Sequence, residues 1–176
     1  MKVLNLHGYG SNPHNGFFYA LVKYRVSDIL LPVIRYDEEA PSAIFTRLVQ
    51  LCREEEPDAI TGSSMGGYFA ALLSSTMGLR AVMVNPCMFP AITLPRIGMR
   101  DGGFLRQYLQ LTGHLAALEN AYAIIGGQDD VIDYHDFTQF LLPPGHCIIV
   151  PEGGHASSTL PLGELLETYG ETFFGA

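Results

Sequence analysis

The stretch Gly62-Ser63-Ser64-Met65-Gly66-Gly67 constrains this chain more than any other. It follows an apolar run with strand character, Asp58-Ala59-Ile60-Thr61, and opens a run with helix character from Tyr68 to Thr76. A strand that reverses into a helix around one strained residue leaves no room for a Cβ two positions before or after it. Gly62 and Gly66 satisfy that demand around Ser64, and no other serine in the chain is so flanked. Such a turn lifts the Ser64 hydroxyl above the sheet and aims the Met65 N–H, at the start of the helix, toward the same space. Alone the pattern is weak, because a Gly- and Ser-rich turn can simply cap a helix through Ser63 or Ser64.

The rest of the chain supplies the context. With 176 residues, 48% of them hydrophobic, it can bury a sizeable core as one domain, 1–176. Its 18 acidic residues against 10 basic ones give a net charge of −8, with no run of Lys or Arg, so binding to nucleic acid or to an anionic membrane has little to rest on. The first residues run straight into His7-Gly8, too short for a signal segment, and no apolar run approaches a membrane span; the expectation is a soluble, cytoplasmic protein. Cys52, Cys87 and Cys147 are odd in number and widely spaced, which points to buried thiols rather than disulfides or a zinc site.

Val3 to Leu6 reads as a buried strand, followed by a long loop from His7 to Gly16. Phe17 to Arg25 has helical spacing with Phe18, Leu21, Val22 and Arg25 on one side, and Ile29 to Ile34 is a strand that Pro32 demotes to a sheet edge. Pro41 opens an amphipathic helix carrying Ile44, Leu48, Leu51 and Cys52, which Glu54-Glu55-Glu56-Pro57 stops. After the Ser64 turn, Arg80 to Asn85, Ala121 to Ile125 and Cys147 to Val150 read as further buried strands. Helical spacing recurs near Tyr134 to Leu142 and from Leu160 to Phe174. Strands alternating with helices imply a parallel sheet covered on both faces. Between Asn85 and Ala121 lies a long, greasy segment broken by Pro86, Pro90 and Pro95, and we expect residues 86–118 to form a partial lid, with Met88 and Phe89 near a substrate.

Ligands of an open parallel sheet bind at the carboxyl ends of its strands, where the winding reverses. A serine nucleophile needs a base, and the base needs an orienting acid; on such sheets they follow in the order Ser, Asp, His. His155, in the glycine-bearing loop Glu152-Gly153-Gly154-His155-Ala156, is the expected base, since an imidazole titrates near neutrality. The acid is Asp129, Asp130 or Asp133. Asp129 is favoured because it lies closest to the strand end, whereas Val131-Ile132 would start the next helix, aim Asp130 outward and leave Asp133 as an N-cap. A second oxyanion donor is expected from the Tyr9 N–H after the first strand, with His7 bracing that loop. No two histidines stand at helical i, i+4 spacing and no Cys/His cluster exists, so metal-dependent hydrolysis is disfavoured.

Five blocks in order carry a resemblance: Leu6-His7-Gly8-Tyr9-Gly10-Ser11-Asn12-Pro13, Gly62 to Tyr68, Val84-Asn85-Pro86, Asp129 to Tyr134 and Glu152 to Ala156. Together they resemble the YqiA-type esterases, small α/β-hydrolases with little or no cap domain. The resemblance implies a Ser64, Asp129, His155 triad, an oxyanion hole from the Tyr9 and Met65 amides, and hydrolysis of an ester or thioester without a cofactor.

The expected architecture is an α/β-hydrolase with six mostly parallel strands in spatial order 2-1-3-4-5-6 and a minimal lid. The expected reaction is hydrolysis of carboxylic esters of short- to medium-chain acyl groups through a Ser64 acyl-enzyme. Thioesterase action on an acyl-CoA-like substrate is the rival within enzymes, with Arg96, Arg100 and Arg106 available to phosphates. A binding protein that kept the fold without turnover is the rival outside them.

Overall fold

A computed structural model of the chain describes residues 1–133 and 135–175. Six strands, all paired in parallel, run β1 (Lys2–Leu6), β2 (Asp28–Leu30), β3 (Ala59–Ser63), β4 (Arg80–Val84), β5 (Ala121–Gly126) and β6 (Cys147–Val150), in the spatial order β2-β1-β3-β4-β5-β6. The winding therefore reverses between β1 and β3, as the sequence predicts, and the crevice there opens at the carboxyl ends of those strands.

Strand periodicity sorts the core into two layers. Leu4, Leu6, Ile60, Ala81, Met83, Ala123 and Ile125 face one side, where they meet α2 (Pro41–Glu55) and α3 (Met65–Met77). Val3, Ala59, Val82, Val84 and Ile124 face the other, where α1 (Gly16–Lys23) and α7 (Leu162–Phe174) contribute Phe17, Leu21, Leu166 and Phe173. The first ten residues of α3 are all buried, which explains why that helix is apolar all round. No helix among the described residues is long and apolar enough to cross a membrane.

Several boundaries differ from the sequence reading for physical reasons. The inward face of α1 is Phe17, Ala20 and Leu21; Val22 is 51% exposed, and Arg25 lies past the helix end with φ 67°, because the helix starts at Gly16 with Asn15 as its N-cap. Pro32 does more than mark an edge: β2 ends two residues before it. The helix after the Ser64 turn starts at Met65, as expected, and so takes in Gly66 and Gly67 ahead of the run from Tyr68; those glycines tolerate the close contacts of its first turn. Residues 86–118 form α4 (Pro90–Arg96) and α5 (Gly102–Thr112). The break between those helices is set by Gly98, at φ 114°, while Pro90 opens α4 and Pro95 is carried in its last turn. Met88, Leu94, Met99 and Tyr108 sink from this segment into the core shared with α2 and α3. The helix expected near 134–142 is α6 (His135–Leu141); Tyr134 itself lies outside the described residues.

Candidate active site

Ser64 has φ 52° and ψ −116°, a backbone conformation that a side chain adopts only when its surroundings force it. The forcing contacts are explicit. A Cβ on Gly62 would run into the carbonyl of Gly66, and one on Gly66 would run into the carbonyl of Leu6 on β1. The Ser64 N–H donates to the Val84 carbonyl at 2.9 Å, and its own carbonyl accepts from the N–H groups of Tyr68 at 3.1 Å and Cys87 at 3.0 Å. Neighbouring strands and the following helix thus hold the turn from both sides.

The loop after β1 closes over this turn, with a Cβ on Gly8 falling 3.1 Å from the Ser64 Cβ. His7 is 3% exposed and fixes the loop at two ends: Nε2 accepts from the Ile34 N–H at 3.0 Å, and Nδ1–H donates to the Gly8 carbonyl at 2.9 Å. Accepting at Nε2 makes His7 a neutral imidazole, and burial lowers its pKa despite the opposing hydrogen bond to Gly8. The Tyr36 hydroxyl donates to the His7 carbonyl at 2.5 Å, and the Tyr9 hydroxyl donates to Asp37 Oδ1 at 2.9 Å. Deeper down, Thr61 Oγ1 donates to Asn5 Oδ1 at 2.9 Å and Asn5 Nδ2 donates to the Pro13 carbonyl at 3.2 Å, anchoring the far end of the loop to β1 and β3. Among the described residues, no acceptor takes the N–H of Tyr9 or of Met65.

Asp129 follows β5 and its side chain is 1% exposed. Its Oδ1 accepts from the N–H groups of Val131 and Ile132, each at 2.9 Å, and its Oδ2 lies 3.0 Å from His155 Nδ1. Burial alone would raise its pKa. Hydrogen bonds from His135, His155 and the two amides outweigh that penalty and hold the carboxyl far below the usual range, so it is ionised. An ionised carboxylate only accepts, so His155 presents its Nδ1–H to Asp129 and its Nε2 is the ring nitrogen not engaged there. Asp130 is exposed, and Asp133 pairs with Arg96 through two contacts of 2.7 and 2.8 Å.

Ser64 and His155 line one cavity of about 250 Å³, together with Gly8, Tyr9, Asn15 and Ser157. No hydrogen bond joins Ser64 Oγ to His155 among the described residues. Met88 is 1% exposed in the core, and Phe89 lies against Phe137 with ring centroids 4.6 Å apart and planes tilted by 35°; neither lines this cavity, and no residue of 86–118 does. Sequence reasoning missed Asn85, whose side chain reaches the loop of His155, and His135, whose Nε2 lies 3.0 Å from Asp129 Oδ2. The Asn-Pro pair after β4 was a signal for the first; nothing in the spacing marked the second.

A family model for the uncharacterised protein family UPF0227 matches residues 2–158, in agreement with the resemblance carried by the five blocks. Among solved structures, Est1E from Butyrivibrio proteoclasticus is similar with a TM-score of 0.70 at 14% identity, covering 94% of this chain and 86% of that one. The α/β-hydrolase MGS-MChE2, from the metagenome of lagoon sediments at Mar Chica, Morocco, has a TM-score of 0.70 at 17% identity over 98% of this chain and 90% of its own. An esterase from Pyrococcus furiosus has a TM-score of 0.64 at 15% identity over 99% and 80%. These likenesses identify the fold as that of the α/β-hydrolases.

Proposed function

Since the chain belongs to the UPF0227 family and has the α/β-hydrolase fold, we propose that it is a serine esterase cleaving carboxylic esters through an acyl-enzyme on Ser64. The observation that carries this reading is the Asp129–His155 pair at 3.0 Å, whose imidazole shares a cavity with a serine held at φ 52°. His155 Nε2 takes the Ser64 proton as Oγ attacks the ester carbonyl, then returns it to the departing alcohol. Water repeats the sequence on the acyl-enzyme, with His155 again as base. Asp129 holds the imidazole tautomer and stabilises the imidazolium that forms in both half-reactions. The amides of Tyr9 and Met65 receive the negative charge on the carbonyl oxygen, and losing one such donor costs about a hundred- to a thousandfold in rate. The gap between Ser64 and His155 closes in the substrate complex, as such hydrogen bonds commonly tighten there.

A cavity of about 250 Å³ suits a short acyl group, and Met88 and Phe89 would meet only a longer chain that displaced the Phe89–Phe137 contact. An oxygen ester is favoured over an acyl-CoA-type thioester because Arg96 is engaged by Asp133, while Arg100 and Arg106 are exposed and line no part of the cavity. A fluorophosphonate probe should label the native protein and not the Ser64→Ala variant. Absence of labelling would leave a binding protein with this fold. A panel of p-nitrophenyl esters of increasing chain length, run beside acyl-CoA substrates, assigns the substrate class.

A further inference from the structure

Asp129 serves two histidines. His135, at the start of α6, lies 3.0 Å through Nε2 from the same Oδ2 that meets His155 Nδ1, and its side chain is only 12% exposed. The carboxylate is an acceptor only, so His135 presents an N–H to it at Nε2. Its Nδ1 is fully buried and, among the described residues, has no hydrogen-bond partner. The ring therefore engages the site through Nε2, as a hydrogen-bond donor to Oδ2. With the Val131 and Ile132 amides and His155, His135 brings the donors on Asp129 to four, which fills the roughly four lone-pair sites of a carboxylate.

We propose that His135 is a positioning residue for the hydrolysis: its hydrogen bond to Oδ2 fixes the plane of Asp129 and limits how strongly that carboxylate attracts the proton of His155. The role rests on the assignment of Asp129 and His155 made above. Other titratable groups near Asp129 do not substitute for it. The Cys87 thiol, pushed up to about 12 mainly by burial, is neutral, and Asp133 is held by Arg96. Asp133 and Asp136 line a separate cavity of about 310 Å³ that Asp129 and His135 also border.

The test uses His135→Phe, which removes the donor and keeps a ring, and His135→Gln, whose amide restores an N–H at the same reach. Without the donor, Asp129 becomes the stronger acceptor and stabilises the imidazolium of His155. In His135→Phe, titration of the His155 ring followed by NMR should move to higher pH by about one unit. The acid limb of kcat/KM for p-nitrophenyl acetate should move with it, and kcat should fall about tenfold. His135→Gln should restore all three. An unchanged NMR titration in a folded His135→Phe protein, or a loss that Gln fails to restore, would overturn the proposal. The NMR titration needs no turnover, so an inactive wild-type protein with no fluorophosphonate labelling would sink the esterase reading alone.

Discussion

Asn85 holds the main chain of His155: its Nδ2 donates to the His155 carbonyl at 3.0 Å and to that of Gly154 at 2.9 Å. Its Oδ1 accepts the Gly126 N–H at 2.7 Å, so one side chain ties the ends of β4 and β5 to the loop carrying the imidazole. Asn85 is 1% exposed with φ 44°, a conformation asparagine tolerates better than most residues. Asn85→Ala should lower stability by about 2 kcal/mol, since one buried and two part-buried backbone groups lose their partner. Asn85→Asp should do worse, because a carboxylate would face two carbonyl oxygens. Urea unfolding measures both, and kcat/KM should fall more than the folded fraction does.

The strain at Ser64 makes its own prediction. Ser64→Ala keeps the unfavourable φ of 52°, whereas Ser64→Gly relieves it. Both variants should lack esterase activity, but the glycine variant should be the more stable by about 1 kcal/mol. Thermal unfolding of the pair compares them with the nucleophile absent from each.

The strand order could be read from the chain because the strands are short apolar runs separated by helix-like ones, and the Ser64 turn was legible because its glycines answer a steric demand set by adjacent residues. Where the deciding contact was distant, reading failed. The demand for glycine at 66 was legible beside Ser64, but the group that imposes it, the Leu6 carbonyl on β1, stands 60 positions away in the chain and was not. His135 reaches Asp129 because two amide hydrogen bonds curl residues 129–132 into a turn that brings the start of α6 back over the carboxylate, an outcome with no periodic signature. The greasy composition of residues 86–118 suggested cover for a substrate, but apolar side chains serve a core equally well. Met88, Leu94 and Tyr108 are buried in it.

Asp129 and Asp130 are neighbours with opposite surroundings, one nearly inaccessible at its side chain and the other exposed. Asp129→Asn should lower kcat by about ten-thousandfold, because an amide cannot enforce the His155 tautomer. Asp130→Asn should leave steady-state kinetics unchanged. The depressed pKa of Asp129 also adds stability that is fully present above its unfolded value, about 3.9, and is lost as pH falls below it. The stability gap between wild type and Asp129→Asn should therefore narrow in acid, which chemical unfolding at pH 6 and pH 3 would measure.

His7 sets a pH limit of a different kind. Its lowered pKa means that the unfolded chain takes up a proton before the folded one, so the stability it contributes is present above its unfolded value of about 6.5 and is lost as pH falls toward the folded one. The chemical reason is the Ile34 N–H, which needs the Nε2 lone pair; a protonated ring would set donor against donor at 3.0 Å. His7→Gln cannot titrate in this range. Between pH 7 and pH 5 its Tm should fall less than that of the wild type, and a parallel fall in both would exclude His7 as the group responsible. Because the same ring supports the loop that carries the Tyr9 amide, esterase activity of the wild type should weaken in the interval where the brace loosens, in addition to the loss caused by protonating the base.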